Sequence, residues 1–413
     1  MMFWTLFAKE CRQTVRSLIY WLTVIILSLF FFSQLGDIQI TGKPVKGQED
    51  YGVKYSDDEQ IIMENTLGRL AEEYYRETYS TYPIGFHKSV KPDEEENRRI
   101  GEIFEETTGI KDMKVIEDLM AEHYNTGGVI MTGMAVPPVK GLSYEHFQKL
   151  MQEVDDILGG GSSYAKDMLK SNAMVAMTYE DAMEEYETLV EKDRLTGGYA
   201  RLFCDYMGIM LSILPVFLAV TRGLRDRRAK MQELIAVRKA SAAAIIVSRY
   251  LAIVVMIMVP VLVLSCFPLA ESIRYASEAG ISIDYLAFAK YSFGWLLPSV
   301  MTAAAVGLVL TVLTDTALGV LVQGIWWFIS IFSSMSGMGG GMYGWNFVPR
   351  HNTVGNYSGF HNNFAQLAAN RTLYAVISVA LVAATIWIYA KKRRGKMDIH
   401  GKISANRKSK SKA

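Results

Sequence analysis

The sequence predicts an all-α integral membrane protein: six transmembrane helices, an N-terminal interfacial helix, and a large helical extracytoplasmic domain between the first and second spans. Three observations predict it. Half of the 413 residues are hydrophobic, and the mean hydropathy is positive, more apolar than a soluble chain of two or three domains. Apolar runs of span length recur along the chain. Charge is also partitioned, with 33 Asp or Glu against 17 Lys or Arg in residues 36–200, and 26 basic against 9 acidic residues elsewhere. Opposite sides of a membrane produce such a separation, whereas a nucleic-acid binder gathers its basic charge on one folded face; no nucleic-acid partner is expected.

Residues 1–35 hold the interfacial helix and the first span. Phe3, Phe7, Cys11 and Val15 recur at four-residue spacing, with Lys9, Glu10, Arg12, Gln13 and Arg16 assigned to the other face. Aromatic and basic residues in that pattern suit a helix lying in the membrane interface, in contact with lipid. Leu18–Leu35 carries no charge over 18 residues, about the minimum for a span. Basic residues before it and Asp37 after it place its N-terminus inside. The stretch lacks a small-residue cleavage site and reads as retained.

Residues 36–200 read as a mainly helical domain outside the membrane. Helices are expected near Ser56–Tyr79, Asp93–Thr107, Lys111–Tyr124, Ser143–Leu158, Tyr164–Ser171 and Tyr179–Arg194. Ser56 and Ser143 open two of them with a capping hydroxyl, and Asp93 to Glu96 supply first-turn carboxylates. Glycine and proline clusters punctuate the domain, leaving room for a short strand pair around Val129–Val136. Cys11, Cys204 and Cys266 all fall outside it, so no disulfide holds it, and the lack of a Cys-x-x-Cys pair removes zinc-ribbon and thioredoxin readings.

Residues 201–390 supply the remaining five spans, read as Arg201–Thr221, Ala242–Leu269, Tyr291–Leu313, Ala317–Met335 and Leu373–Ala390. Pro215, Pro260 and Pro298 lie within them, as membrane helices tolerate. Residues 337–344 form a glycine-rich connection that leaves room for re-entry into the membrane edge. Ala303 and Gly307, four apart, let helices approach closely. Asp205, Arg249 and Asp315 read as interface anchors, with no acid buried at mid-depth. The tail 391–413 holds ten basic residues and one acid, which with the even span count places both termini inside.

Thr221–Tyr250 stands out, with eight Arg or Lys against Asp226 and Glu233. The same side-of-membrane rule makes residues 222–249 a cytoplasmic hairpin. Its apolar Met231, Leu234, Ile235 and Val237 suit it to docking another protein. The chain has no Gly-x-x-x-x-Gly-Lys-Ser/Thr sequence, hence no phosphate-cradling loop of that kind. His351 and His361 lack neighbouring ligands at metal spacing, and the acidic pairs of the insert read as solvated helix faces. No catalytic, cofactor or metal site is expected.

The order of elements resembles the ABC-2-type transporter permease family. Arg225, Asp226, Arg227, Arg228, Ala229, Lys230, Met231, Gln232, Glu233, Leu234 and Ile235 carry the closest likeness, with Ser241 and then Ser248-Arg249-Tyr250-Leu251 opening the next helix. Asn370-Arg371 before the last span and Lys391 to Arg394 after it add to it. The basic run Arg227 to Lys230 departs from the acid and glycine common in that family.

The resemblance implies a non-enzymatic exporter subunit in a bacterial cell membrane. A cytoplasmic ATPase dimer would carry ATP and Mg and dock on Arg225, Arg227, Arg228, Met231, Glu233, Leu234, Ile235 and Arg238. A second permease subunit, identical or related, would complete the pathway. The competing expectation is a membrane-anchored sensor whose outer helical domain binds a peptide or antibiotic.

Overall fold

The computed structural model describes residues 2–83, 87–125, 134–228, 240–334, 341 and 343–394. The chain is mainly helical and divides into two compact units, Gly42–Tyr186 and the remainder, Met1–Thr41 with Glu187–Ala413. Helix α1 (Met2–Val15) leads into α2 (Leu18–Leu35). The extended Ile38–Thr41 segment still belongs to this first unit: Ile38 and Ile40 pack on its core, and the Thr41 N–H donates to the Tyr199 hydroxyl at 2.8 Å.

The inserted unit contains β1 (Val53–Tyr55), α3 (Glu59–Tyr75), β2 (Tyr79–Thr81), β3 (Lys88–Val90), α4 (Glu94–Thr108), α5 (Met113–Asn125), α6 (Tyr144–Ile157) and β4 (Met174–Ala176). Local capping fixes its helix starts. The Asp58 carboxylate accepts from the Gln60 N–H, Asp93 and Glu96 form a reciprocal capping box, and Ser143 accepts from the His146 N–H. Leu67, Leu70, Ile100, Ile103, Phe104, Phe147 and Met151 meet in its core.

The described residues of this mainly helical unit include strands that the sequence reading did not place: β1 pairs antiparallel with β4 and β2 with β3. Each strand has three residues, too few for an alternating pattern to register. The expected helix Tyr164–Ser171 is a short 3₁₀ turn, Leu169–Asn172. The strand pair anticipated around Val129–Val136 lies mostly outside the described residues, and 134–136 form no strand. Helix α7 (Tyr179–Glu191) carries the chain out of the unit.

The helix unit continues with α8 (Thr196–Leu211), α9 (Leu214–Arg228), α10 (Ala242–Ala279), α11 (Ala287–Tyr291), α12 (Leu297–Thr314), α13 (Leu318–Ser333), α14 (Tyr357–Asn362) and α15 (Phe364–Arg393). A π-helical stretch, Ser292–Leu296, joins α11 to α12. Among the described residues, five helices are long and apolar enough to cross a membrane: Leu18–Leu35, Thr196–Arg225, Ala242–Ala279, Ala287–Thr314 and Phe364–Arg393. The sixth apolar helix, α13, has 16 residues, about 24 Å of rise against a hydrocarbon core of about 30 Å.

Several ends differ from the sequence expectation for local reasons. Helix α10 runs ten residues past Leu269 because nothing between Pro268 and Gly280 breaks it, and it stops where Gly280 adopts φ of +68°. Helix α15 starts before Leu373 because Leu367, Asn370 and Arg371 are buried against the unit. The α8–α9 break falls just before Pro215, which has no N–H for the ladder.

Glycines set the closest approaches between helices. A Cβ on Gly307 would lie 2.7 Å from the Ala219 Cβ, and one on Gly223 would lie 2.7 Å from the Thr311 Cγ2. Gly319 approaches Gly307 in turn, with a Cβ there falling 3.1 Å from its Cα. Helices α9, α12 and α13 thus meet along a seam with little side chain between them.

Candidate functional site

Only the roots of the 222–249 hairpin are described. Arg225, on α9, is exposed, and its Nη1 donates to Gln13 Oε1 of α1 at 2.5 Å. Arg227 and Arg228 end that helix. Met231, Glu233, Leu234, Ile235 and Arg238 lie outside the described residues. On the far side, Ser241 caps α10 by accepting from the Ala244 N–H, so the returning helix starts at a defined residue.

Both roots converge on one carboxylate that the sequence reading placed on a solvated polar face. Glu10 of α1 accepts from Arg222 of α9 and lies 3.9 Å from Arg249 Nε of α10. Gln13 adds a bond from Arg222 at 2.9 Å. The Arg222 and Arg249 side chains are only 6% and 7% exposed. Lys9 and Arg12 are exposed, so the expected polar face is split, with Glu10 and Gln13 turned toward the protein. Successive residues turn by about 100° around a helix, which separates Glu10 from Lys9. The signal was the lone acid among four basic or amide neighbours.

The same end gathers further charge. Arg393, at the foot of α15, donates to the Ala240 carbonyl at 2.5 Å. Lys392, also on α15, pairs at 2.8 Å with Asp315 of the α12–α13 turn. Asp315 holds φ of +55°, a left-handed position that closes α12.

The other end of the unit holds a second buried cluster. The reading of Asp205 as an interface anchor is corrected: its side chain is fully buried in α8, where Arg350 Nη2 meets it at 2.9 Å. The His351 N–H donates to Asp205 Oδ1 at 2.5 Å. Arg201, also fully buried, donates through both terminal nitrogens to Asp193 at 2.5 Å and stacks over Phe360. Such fork-to-carboxylate pairs neutralise buried charge while satisfying several polar atoms at once.

Asn370 and Arg371 complete this end. Asn370 Nδ2 donates to the carbonyls of Gly344 and Asn346, and Arg371 to the Phe347 carbonyl and the Ser299 hydroxyl. Tyr343 and residues 347–351 are therefore packed among the helices, with Tyr343, Phe347 and Val348 at most 1% exposed, while Trp345 stays exposed. Most of the glycine-rich connection before them lies outside the described residues. His351 Nδ1 faces the Tyr343 hydroxyl at 2.9 Å and its Nε2 faces the Gly355 carbonyl at 3.2 Å. The carbonyl accepts, so Nε2 carries the proton and Nδ1 accepts from Tyr343. Burial, helped by the charge of Arg201, holds the imidazole down to about 4.

Two grooves flank the end of α2. One, about 360 Å³, is lined by Phe31, Leu35, Cys266, Phe267 and Glu271; the other, about 380 Å³, is lined by Gln34, Asp37, Tyr206, Asn352 and Thr353. No group of three or more His, Cys, Asp or Glu placed to hold a metal occurs among the described residues. Compared with protein-family models, curated proteins and solved structures, the chain has no match.

Proposed function

We propose that this chain is the permease subunit of an ATP-binding-cassette exporter, moving an unidentified peptide, antibiotic, lipid or other small molecule. In this reading ATP is hydrolysed on a separate cytoplasmic subunit, and two permease chains line the pathway. The observation that carries it is the pair of anchored hairpin roots. Helix α9 extends as far as Arg228, Ser241 restarts α10, and Glu10 ties Arg222 and Arg249 together. A loop held at both roots passes a push into the helices that bear it.

The proposed topology has six spans, with both termini and the hairpin cytoplasmic and residues 36–200 extracytoplasmic. Helix α13 crosses as a short span, which local thinning of the bilayer accommodates. Replacing Glu233, Leu234 and Ile235 together with alanine is expected to abolish substrate-stimulated ATP hydrolysis in proteoliposomes of the reconstituted complex while leaving the chain inserted. Unchanged coupling would sink the reading.

The sensor reading draws on one observation, the separate core of Gly42–Tyr186. Copurification separates the two, because an exporter subunit brings down an ATPase in fixed stoichiometry and a sensor does not.

A further inference from the structure

Helix α1 presents two arcs of different chemistry. The exposed arc carries Trp4, Ala8 and Val15 beside the cations Lys9 and Arg12, with Arg16 just past the helix end. Trp4 is 69% exposed. The opposite arc carries the buried Thr14 together with Glu10, which holds the hairpin roots. The Trp21 indole N–H donates to the Val15 carbonyl at 2.7 Å and fixes the joint between α1 and α2.

We propose that α1 couples an anionic phospholipid surface to the root of the 222–249 hairpin. Lipid headgroups meet Lys9, Arg12 and Arg16 on one arc, while Glu10 holds Arg222 and Arg249 on the other. The occupant follows from charge and shape: cations flanking an exposed indole match an interface of negative headgroups over acyl chains.

Glu10 is a positioning residue. Its carboxylate meets guanidiniums carried by two different helices, both of them largely buried. A shift of α1 on the membrane surface therefore moves both roots, and releasing α1 lets them part. The inference rests on the proposed function only in taking the hairpin as the segment on which a partner ATPase works.

The test reads the hairpin without any ATPase, so failure of the exporter reading leaves it standing. The full chain, with Cys11→Ser, Cys204→Ala and Cys266→Ser, carries a spin label at Ala243→Cys, exposed at the root where α10 begins, and is reconstituted in vesicles of phosphatidylcholine with or without phosphatidylglycerol. The label is expected to tumble several-fold more slowly when phosphatidylglycerol is present. Glu10→Gln removes that difference, as does the triple change Lys9→Gln, Arg12→Gln and Arg16→Gln. Pairing Glu10→Arg with Arg222→Glu restores it, which a variant that merely misfolds would not do. Equal mobility in the two lipids, or a Glu10→Gln protein that keeps the lipid response, overturns the proposal.

Discussion

At the Asp205 end of the helix unit one carboxylate meets one guanidinium and a backbone N–H, and a loop is sealed against the helices. At the Arg222 end, 17 residues or about 25 Å farther along α8 and α9, one carboxylate serves two guanidiniums carried by different helices. Buried charge does different work in the two places. The one-to-one pair sets a single loop conformation, whereas the shared carboxylate makes the positions of two helices depend on a third. The first device suits a lid over the helix ends, and the second suits a joint.

The largest expected effect breaks the first device. Asp205→Ala leaves Arg350 buried without its carboxylate, and removing one partner of such a pair costs about 3–5 kcal/mol. Hydrogen exchange in residues 343–356 of the full chain is expected to rise while exchange in α1 stays unchanged. Equal loosening at both ends would mean that they are one cooperative structure rather than two separate devices.

Next in size is the acid response of the same end. Burial depresses the folded-state pKa of His351 to about 4, so the neutral ring stabilises the fold fully above the ordinary histidine value near 6.5. That contribution is lost as pH falls from there toward the folded value, a total on the order of 3 kcal/mol. Protection of the amides in residues 343–356, taken relative to the intrinsic exchange rate at each pH, is expected to fall across this window and to stay flat in His351→Gln. A wild-type profile without that slope removes histidine burial from the account.

The smallest effect sharpens what the arginine does at Asp205, by way of a carboxylate buried chiefly with a phenol. In the inserted unit, Glu73 accepts from the Tyr164 hydroxyl at 2.6 Å. Burial raises its pKa despite that bond and Arg69 nearby. A raised carboxylate value means that its contribution is greatest below the ordinary range and is lost as pH rises through the folded value. Glu73→Gln is expected to flatten this dependence and to shift stability near neutral pH by about 1 kcal/mol, the scale of one hydrogen bond. Thermal melts followed from pH 4 to 8 check the sign.

What was legible in the sequence depended on how far each determinant reaches. Uncharged runs such as Leu18–Leu35 announce themselves locally, as do the caps at Asp93 and Ser143, and the structure starts helices beside each. Asp205 was misread because its partner Arg350 lies 145 residues away, and an acid near a span end is ordinarily an anchor. The strand pair Val53–Tyr55 with Met174–Ala176 was invisible for the same reason. Glu10 was hidden by company: among Lys9, Arg12 and Arg16 it looked like one more solvated charge. Arg225, expected to meet a partner subunit, has Gln13 of the same chain as its described partner.

The glycine seam has a mechanical consequence. Helices separated by full side chains on both sides can absorb a small displacement by changing rotamers, but α9, α12 and α13 touch through Gly223, Gly307 and Gly319, where one side of each contact is bare backbone. They form one stiff wedge. A force applied at Arg222 would therefore pass directly between these three helices, and a single added methyl at Gly307 would act as a shim, prying α9 and α12 apart.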